Sequence, residues 1–327
     1  MDRIKIGQIG VGHAHAAGKM AVYRASPDYE VVGIVEPDPA LRAAAQRLSV
    51  YADLRWMTLE ELLNYPGLQA VAVETQVHDL LPAAETCVAA GKHVHLDKPA
   101  GDNLPRFKRI LDEAARAHLL VQLGYMYRYN PAVVKAREFL QRGWLGEPFE
   151  LHAVMSKVID PAGRAPLARF KGGIMFELGC HVIDLAVSIL GPPAEIHSYV
   201  RRSRSHVDDL ADNMLAVFSY PRALATIKSS ALEVEGFARR HLAVCGTEGT
   251  LHIQPLDAPH LRVAFSQPRE SYSRGYQELP FGDYPRYVGD AADMARIIRG
   301  EKDPDFSYEH EYAVQAAVLR ASGMPVS

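Results

Sequence analysis

Two short stretches carry side chains whose types and spacing suit proton and hydride chemistry. One is HVHLDKP, His93 to Pro99, where a β-type run ends on Asp97, Lys98 and Pro99. A lysine just past the C-terminal end of a parallel strand stands where open α/β sheets bind their ligands. The plainer reading is a surface lysine held by Asp97. The other stretch is GGIMFELGCHVIDL, Gly172 to Leu185, in which Glu177 and His181 are four residues apart and Asp184 lies three further on. That spacing puts all three on one helix face. An acid there can hold an imidazole in one tautomer, so His181 is a candidate general base oriented by Glu177; a satisfied core histidine is the alternative. Gly179, costly inside a helix, implies that another backbone or a flat ligand comes close. No metal is expected, because Glu177 and His181 have no third ligand in matching context. Cys180 reads as a small buried hydrophobe and not as a nucleophile.

The elements that must position these residues follow in order. Ile4 to Ile9 reads as a buried strand, followed by Gly10, Val11, Gly12, His13, Ala14 and His15 and then an alanine-rich helix to about Ser26. Gly10 and Gly12 match the first two glycines of the dinucleotide fingerprint, where backbone amides approach a pyrophosphate at a helix N-terminus; His15 occupies the third glycine's place. A second strand, Glu30 to Val35, ends on Glu36, at the distance where an acid receives a ribose diol and repels a 2′-phosphate. NAD is therefore expected, with NADP possible because Arg42 lies close by. Ala70 to Glu74 is a third strand, opening into Thr75, Gln76, Val77 and His78, and the runs His93 to Leu96 and Leu119 to Leu123 complete the set, each separated by a helical segment. Strands alternating with helices mean a doubly wound parallel sheet with Lys98 and Thr75 on the edge that carries the glycine turn.

After Gly124 the character changes. An aromatic, basic segment (YMYRYNP, Tyr125 to Pro131) leads into a helix to about Arg142. β-like runs then dominate at Phe149 to Ile159, Ala194 to Arg201, Asn213 to Tyr220, Ala223 to Ala231, Arg239 to Cys245 and Gly249 to Gln254. Turn signals between them indicate a mainly antiparallel sheet, interrupted by a helix from Gly172 to Leu190 and followed by helices at about Tyr287 to Arg299 and Tyr308 to Arg320. Arg128 and the loop charges Arg164, Arg169 and Lys171 could meet an acidic group on a substrate, or simply be solvated.

The bulk numbers narrow the class. A chain of 327 residues exceeds one core, so two domains are expected. A net charge of −3 leaves no electrostatic footprint for nucleic acid or an anionic membrane surface, so a small-molecule partner is expected. Cys87, Cys180 and Cys245 are few and scattered, which fits a reducing cytoplasm, and Met1 to Lys5 lead straight into a strand without an apolar leader.

Taken together, the chain resembles the Gfo/Idh/MocA family, the glucose-fructose oxidoreductase and inositol dehydrogenase group, through nearly its whole length. The likeness rests on Gly10-Val11-Gly12, Glu36, the Thr75 to His78 loop, GKHVHLDKP at Gly91 to Pro99, YRYNP at Tyr127 to Pro131, the pattern from Gly172 to Asp184, and GTEGTL at Gly246 to Leu251. Asp97-Lys98-Pro99 matches the family's E-K-P with Asp for Glu, Glu177 stands where the family usually has Asp, and Thr75-Gln76 replaces a common T-P. The resemblance implies a Rossmann domain over 1–124 and, over 125–327, an α/β domain with a large, mainly antiparallel open-faced sheet that often pairs subunits, hence a homodimer or homotetramer. It implies cofactor contacts from Gly10, Val11, Gly12, His13, Glu36, Thr75, His78, Asp97 and Lys98, and substrate contacts from Lys98, Arg128, Glu177, His181 and Asp184, with Lys98 beside the nicotinamide and the reacting hydroxyl and His181 as base. The activity implied is hydride transfer between NAD(P) and a secondary hydroxyl of a sugar, sugar derivative or cyclitol. Two alternatives remain: glycoside cleavage through transient oxidation by bound NAD, and a nucleotide-binding regulator without catalysis.

Overall fold

Five short runs rich in Val, Ile and Ala pair side by side as parallel strands, β1 (Ile4–Ile9), β2 (Tyr29–Val35), β3 (Ala70–Val73), β4 (His93–Leu96) and β5 (Val121–Leu123), in the order β2-β1-β3-β4-β5. The computed structural model describes residues 2–169 and 171–326. Covered on both faces, these strands are near-continuous apolar runs, as parallel strands must be; every residue of β3 is buried. Helices α1 (Ala16–Ala25), α2 (Pro39–Ala45), α3 (Leu59–Leu63), α4 (Leu80–Ala89) and α5 (Leu104–Arg116) fall between them. Beyond β2 the chain adds one more rung. Ile34 bridges Trp56 in parallel, its amide donating to the Arg55 carbonyl and its carbonyl accepting from Met57, each at 2.9 Å. Counting that rung, the spatial order is the Rossmann order, and the reversal lies between β1 and β3, where the crevice for a ligand opens.

The sheet belongs to a unit made of the chain up to Tyr125 together with Pro285–Tyr312. The N-terminal stretch of this unit ends one residue past the expected boundary at 124, and 285–312 lies in it although the sequence reading put everything beyond 124 in one C-terminal domain. Segment 285–312 returns because it supplies cover the sheet lacks. The helix Val288–Ile298 packs Ala291, Met294 and Ala295 against Ile4, Ile6, Tyr29, Ala70 and Ala72. The Tyr29 hydroxyl donates to the Ala291 carbonyl at 2.6 Å, and the Tyr308 hydroxyl donates to the Leu119 carbonyl at 2.6 Å while accepting from the Val121 amide at 3.0 Å.

The second unit comprises Met126–Tyr284 and Ala313–Val326. Its sheet has eight strands, β6 (Pro148–Ser156), β7 (Glu195–Arg201), β8 (Asn213–Ser219), β9 (Leu224–Ser230), β10 (His241–Gly246), β11 (Gly249–Ile253), β12 (His260–Phe265) and β13 (Gly275–Pro280), ordered β13-β12-β11-β10-β6-β9-β8-β7. All neighbours are antiparallel except β6 and β9, which run parallel. The strict alternation of buried and half-buried residues along β8 marks a sheet packed on one side. β12 and β13 extend the sheet beyond the six strands that the sequence pattern suggests.

Helix α6 (Pro131–Gln141) lays Phe139 on Trp144 and Phe265, ring centroids 5.4 Å apart in each case. A short α7 (Pro161–Leu167) follows β6, and α8 (Cys180–Leu190) is preceded by a π-helical turn, Met175–Gly179. The expected single helix over 172–190 is thus two geometries in series. Gly179 sits in the π turn for a packing reason: a Cβ there would lie 2.5 Å from Met175 Sδ and 3.3 Å from Ser229 Cβ. Ser229 of β9 fastens the same place, its Oγ donating to the carbonyls of Met155 at 2.8 Å and Ile174 at 3.2 Å. Among the described residues no helix is long and apolar enough to cross a membrane.

Candidate active site

At the ligand-binding edge of the parallel sheet, the chain leaves β1 through Gly10 at φ +88°, and a Cβ there would lie 2.5 Å from the Cα and N of Thr75. The two loops that flank the crevice are therefore in backbone contact, which only glycine permits. The Gly12 and Ala14 amides have no protein partner among the described residues, and Ala14 is exposed. They are donors of the kind that hold a pyrophosphate at a helix N-terminus. Glu36 is buried; its Oε2 accepts from the Val11 amide and its Oε1 from the Asp38 amide, each at 2.9 Å. Carboxylate oxygens have two acceptor sites each, so one per oxygen remains for a ribose diol. These features fit an NAD molecule. Arg42, near enough in sequence to receive a 2′-phosphate, stacks instead over the Trp56 ring at 5.1 Å. Thr75 is half-buried, its hydroxyl donating to the Gln76 carbonyl at 3.0 Å. His78 is exposed and paired with Asp79 at 3.0 Å.

Directly below this edge lies a cluster of buried charge that the sequence patterns do not reveal. Asp97 is fully buried, not a surface partner for a surface lysine, and Lys98 is only 1% exposed. The Asp97 carboxylate accepts from the Lys98 main-chain amide at 2.7 Å and lies 2.9 Å from His13 Nδ1, 3.2 Å from His15 Nδ1 and 3.0 Å from Lys19 Nζ. Asp97 and His13, both expected among the cofactor contacts, have their side chains beneath the turn, 2.9 Å apart. Burial alone would push the Asp97 carboxyl up, but the charges of His13, Lys19 and His15 hold it well below the usual carboxylate range. Glu74, at the end of β3, goes the other way, raised by burial and by the Asp97 charge.

Lys19 has three neighbours for its three N–H groups: His95 Nε2 at 2.5 Å, Asp97 at 3.0 Å and Glu74 at 3.3 Å. The tautomer of His95 follows. Its Nε2 accepts from Lys19, so the proton is on Nδ1, which donates to Gln122 Oε1 at 2.9 Å. Burial and the Lys19 charge push His95 down to about 3. His13, His15 and Asp97 do place three potential metal-ligand atoms within 4.8 Å of one another. The ammonium already seated on Asp97 makes this an ion-paired cluster.

In the second unit, His181 is the second residue of α8, 2% exposed, with the Tyr127 ring edge-on at 5.5 Å. Glu177 is half-buried in the π turn just before it. Asp184 lies three residues beyond His181 in α8. It forms a buried pair with Arg128, whose Nε lies 3.1 Å from both carboxylate oxygens and whose Nη2 lies 2.5 Å from Oδ1. Arg128 and Asp184, both expected among the substrate contacts, join the 3-10 turn Met126–Tyr129 to α8 through this pair. The rest of YRYNP is also architectural. Tyr127 donates to Asp257 at 2.8 Å, while Asn130 caps α6 through the Ala132 amide at 2.9 Å and donates to the Leu256 carbonyl at 2.7 Å. Arg164 is likewise buried, donating to Asp208 at 2.6 and 2.7 Å and to Asp212 at 3.0 Å. Cys180 is buried, as its apolar surroundings lead one to expect.

A Rossmann sheet with a glycine turn at its switch point and an acid at the end of β2 is the architecture of a dinucleotide-binding protein. Residues 4–125 match the family model described as an oxidoreductase family with an NAD-binding Rossmann fold, and residues 133–252 match the GFO/IDH/MocA C-terminal domain. The chain belongs to the Gfo/Idh/MocA family of NAD-binding oxidoreductases. It is 28% identical over 261 residues to a myo-inositol 2-dehydrogenase of Thermotoga maritima, covering 76% of this chain and 73% of that one. It is 25% identical over 288 residues to the scyllo-inositol 2-dehydrogenase (NAD(+)) of Bacillus subtilis, covering 81% and 79%. A trans-1,2-dihydrobenzene-1,2-diol dehydrogenase of Mus musculus is 25% identical over 248 residues, covering 75% and 72%. Among solved structures, a UDP-N-acetylglucosamine 3-dehydrogenase of Acidithiobacillus ferrooxidans superposes with a TM-score of 0.80 over 100% of this chain and 99% of that one at 19% identity, a likeness of fold.

Proposed function

We propose that the protein is an NAD-dependent dehydrogenase that oxidises a secondary hydroxyl of a sugar, sugar derivative or cyclitol, working as a homodimer or homotetramer. The observation that carries this reading is Lys98 placed immediately after β4 on the ligand edge, its main chain gripped by Asp97 and His13 beside the glycine turn. The relatives' names support the substrate class, two being inositol dehydrogenases and one a cyclic diol dehydrogenase. Glu36 supports NAD, because an acid meeting the ribose there disfavours a 2′-phosphate.

When bound, NAD supplies the acceptor for the hydride of the carbinol carbon. Lys98 presents its ammonium to the substrate oxygen and stabilises negative charge as it develops there. His181 takes the hydroxyl proton on a ring nitrogen, with Glu177 offsetting the charge the imidazole acquires. A positioned base contributes roughly a hundredfold to ten-thousandfold. The reading is tested with a panel of sugars, cyclitols and glycosides, NAD against NADP, followed by the absorbance of reduced nicotinamide. Stoichiometric NADH with a cyclitol or sugar is expected. Glycoside cleavage without NADH accumulation would replace this reading with transient oxidation. Lys98→Met and His181→Ala should each keep NAD affinity and lose about a hundredfold or more in turnover; turnover at the parent rate in either variant removes that residue from the mechanism.

A further inference from the structure

His181 enters α8 at its second residue, directly behind the π turn, and its backbone leaves the ring two side-chain torsions to settle. The Tyr127 ring meets it edge to face, with centroids 5.5 Å apart and planes at 74°. Tyr127 is buried and fastened at its far end, its hydroxyl donating to Asp257 Oδ1 at 2.8 Å. The other carboxylate oxygen of Asp257 accepts from Arg240 Nη1 at 2.9 Å. Arg240 is buried over the Phe237 ring at 3.8 Å and donates through Nε to the Ser156 carbonyl, at the end of β6, at 3.1 Å. Both bonds to Asp257 are charge-assisted, a kind roughly twice as strong as a neutral pair. A link from the end of β6 to the ring beside His181 is thus continuous through Arg240, Asp257 and Tyr127.

The backbone that carries Tyr127 is already held by other bonds. Arg128 ties the same 3-10 turn to Asp184 of α8. Asn130, next in the segment, donates to the Leu256 carbonyl at 2.7 Å, and the Leu256 amide donates to the Arg240 carbonyl at 3.0 Å. What the bond from Tyr127 to Asp257 adds is a phenol ring fixed at both ends, and that ring is the one against His181. We propose that Asp257 and Arg240 are positioning residues for His181, acting through Tyr127: the ion pair pins the phenol, and the pinned ring sets the orientation of the imidazole. The proposal rests on the reading of His181 as the base that takes the substrate's hydroxyl proton.

The test uses the full chain with 13C-labelled histidine, without cofactor or substrate, and the His181 ring signal assigned by difference with His181→Ala. Tyr127→Phe keeps the aromatic ring and removes only the hydroxyl, while Asp257→Asn keeps the shape and removes the charge. Both are expected to displace the His181 signal in the same direction. In kinetics, Tyr127→Phe should lower kcat about tenfold to a hundredfold, the scale of a misplacement near 1 Å, with KM for NAD changed less than about twofold. Asp257→Asn leaves a buried guanidinium without its counter-charge, so its Tm is measured alongside and its rates are read well below it. Combining the two should cost no more in kcat than Asp257→Asn alone, because both cut one link. A His181 signal unmoved in either variant, a Tyr127→Phe enzyme with the parent kcat, or a double variant that loses the product of both single factors overturns the proposal. A fall in Tm with signal and kcat unchanged overturns it too, since that is what a merely structural bond would give. Because the spectrum is read without turnover, a His181→Ala enzyme with the parent rate, which removes the base reading, is recognised separately from a failure of the positioning.

Discussion

Lys19→Met asks how much of the ligand edge is held by one ammonium. Lys19 is 1% exposed, and both carboxylates beside it, Glu74 and Asp97, are fully buried. Burial would lower the ammonium's affinity for its proton, yet Asp97, Glu74 and Asp290 together carry it above the ordinary lysine range. With the folded value raised, the stability linked to this proton is fully present below the unfolded value near pH 10.4 and is lost only as pH rises through the folded one, so at neutral pH it is intact. Methionine is close in length and apolar, so the variant removes charge and N–H groups more than volume. Breaking a buried pair by removing one partner costs about 3–5 kcal/mol. For a unit of this size each kcal/mol is about 2–4 °C, which predicts a fall in Tm of roughly 6–20 °C by calorimetry at pH 7. The double variant Lys19→Met with Asp97→Asn should melt above the Lys19→Met single, because the uncompensated ion is gone. A single variant melting within about 2 °C of the parent, or a double variant losing the sum of both singles, would refute the view that these groups compensate one another.

Two further outcomes follow from the same edge. His95, pushed down to about 3, does not take the proton that the unfolded chain takes near pH 6.5. A lowered folded value means the stability linked to it is complete above pH 6.5 and is lost as pH falls toward 3, at about 1.4 kcal/mol per pH unit in mid-window. Urea unfolding at pH 7, 6, 5 and 4.5 should show that slope, and His95→Gln should remove about one proton from it; an equal slope in the variant would mean His95 titrates normally. Gly10→Ala and Gly12→Ala should separate stability from binding. The first forces a Cβ onto the Thr75 backbone at 2.5 Å and φ +88°, costing roughly 1–3 kcal/mol of folding stability from strain. The second meets the movable Gln76 Cγ at 2.7 Å and should melt closer to the parent while losing NAD affinity; the opposite ranking of melting temperatures would reject this account of the turn.

The parallel sheet is legible in the sequence because strands covered on both faces have to be apolar throughout. Strands at the far edge of the second sheet are not. β13 alternates half-buried and exposed residues, and in β12 the pattern Leu261, Val263, Phe265 is interrupted by Arg262, which pairs across to Glu278 at 3.8 Å. The alternation of Leu261, Val263 and Phe265 was the available signal. The return of 285–312 to the first unit is invisible locally, since a helix's apolar stripe does not say which sheet it covers.

The candidate site divides along the same line. Gly10, Gly12, Glu36 and Lys98 stand out because chemistry restricts what can occupy those positions. Lys19, Glu74, His95 and Gln122 carry no motif, yet three of them break a pattern: Lys19 lies on the buried stripe Ala16, Lys19, Met20, Tyr23 of α1, Glu74 ends the run AVAVE, and His95 points inward from β4. A charged or polar side chain in an apolar stripe needs a partner at the same depth, and here the partners are one another. The cluster joins α1, the turn after β1, the ends of β3 and β4, and β5, where Gln122 also donates to the Asp290 carbonyl at 3.2 Å. Each strand end that borders the crevice, together with the segment returning at 290, is therefore fixed by a bond to a group on another strand or helix. In so low a dielectric no member can be removed without stranding the next, and that is why the lysine's backbone has a definite place before any ligand arrives.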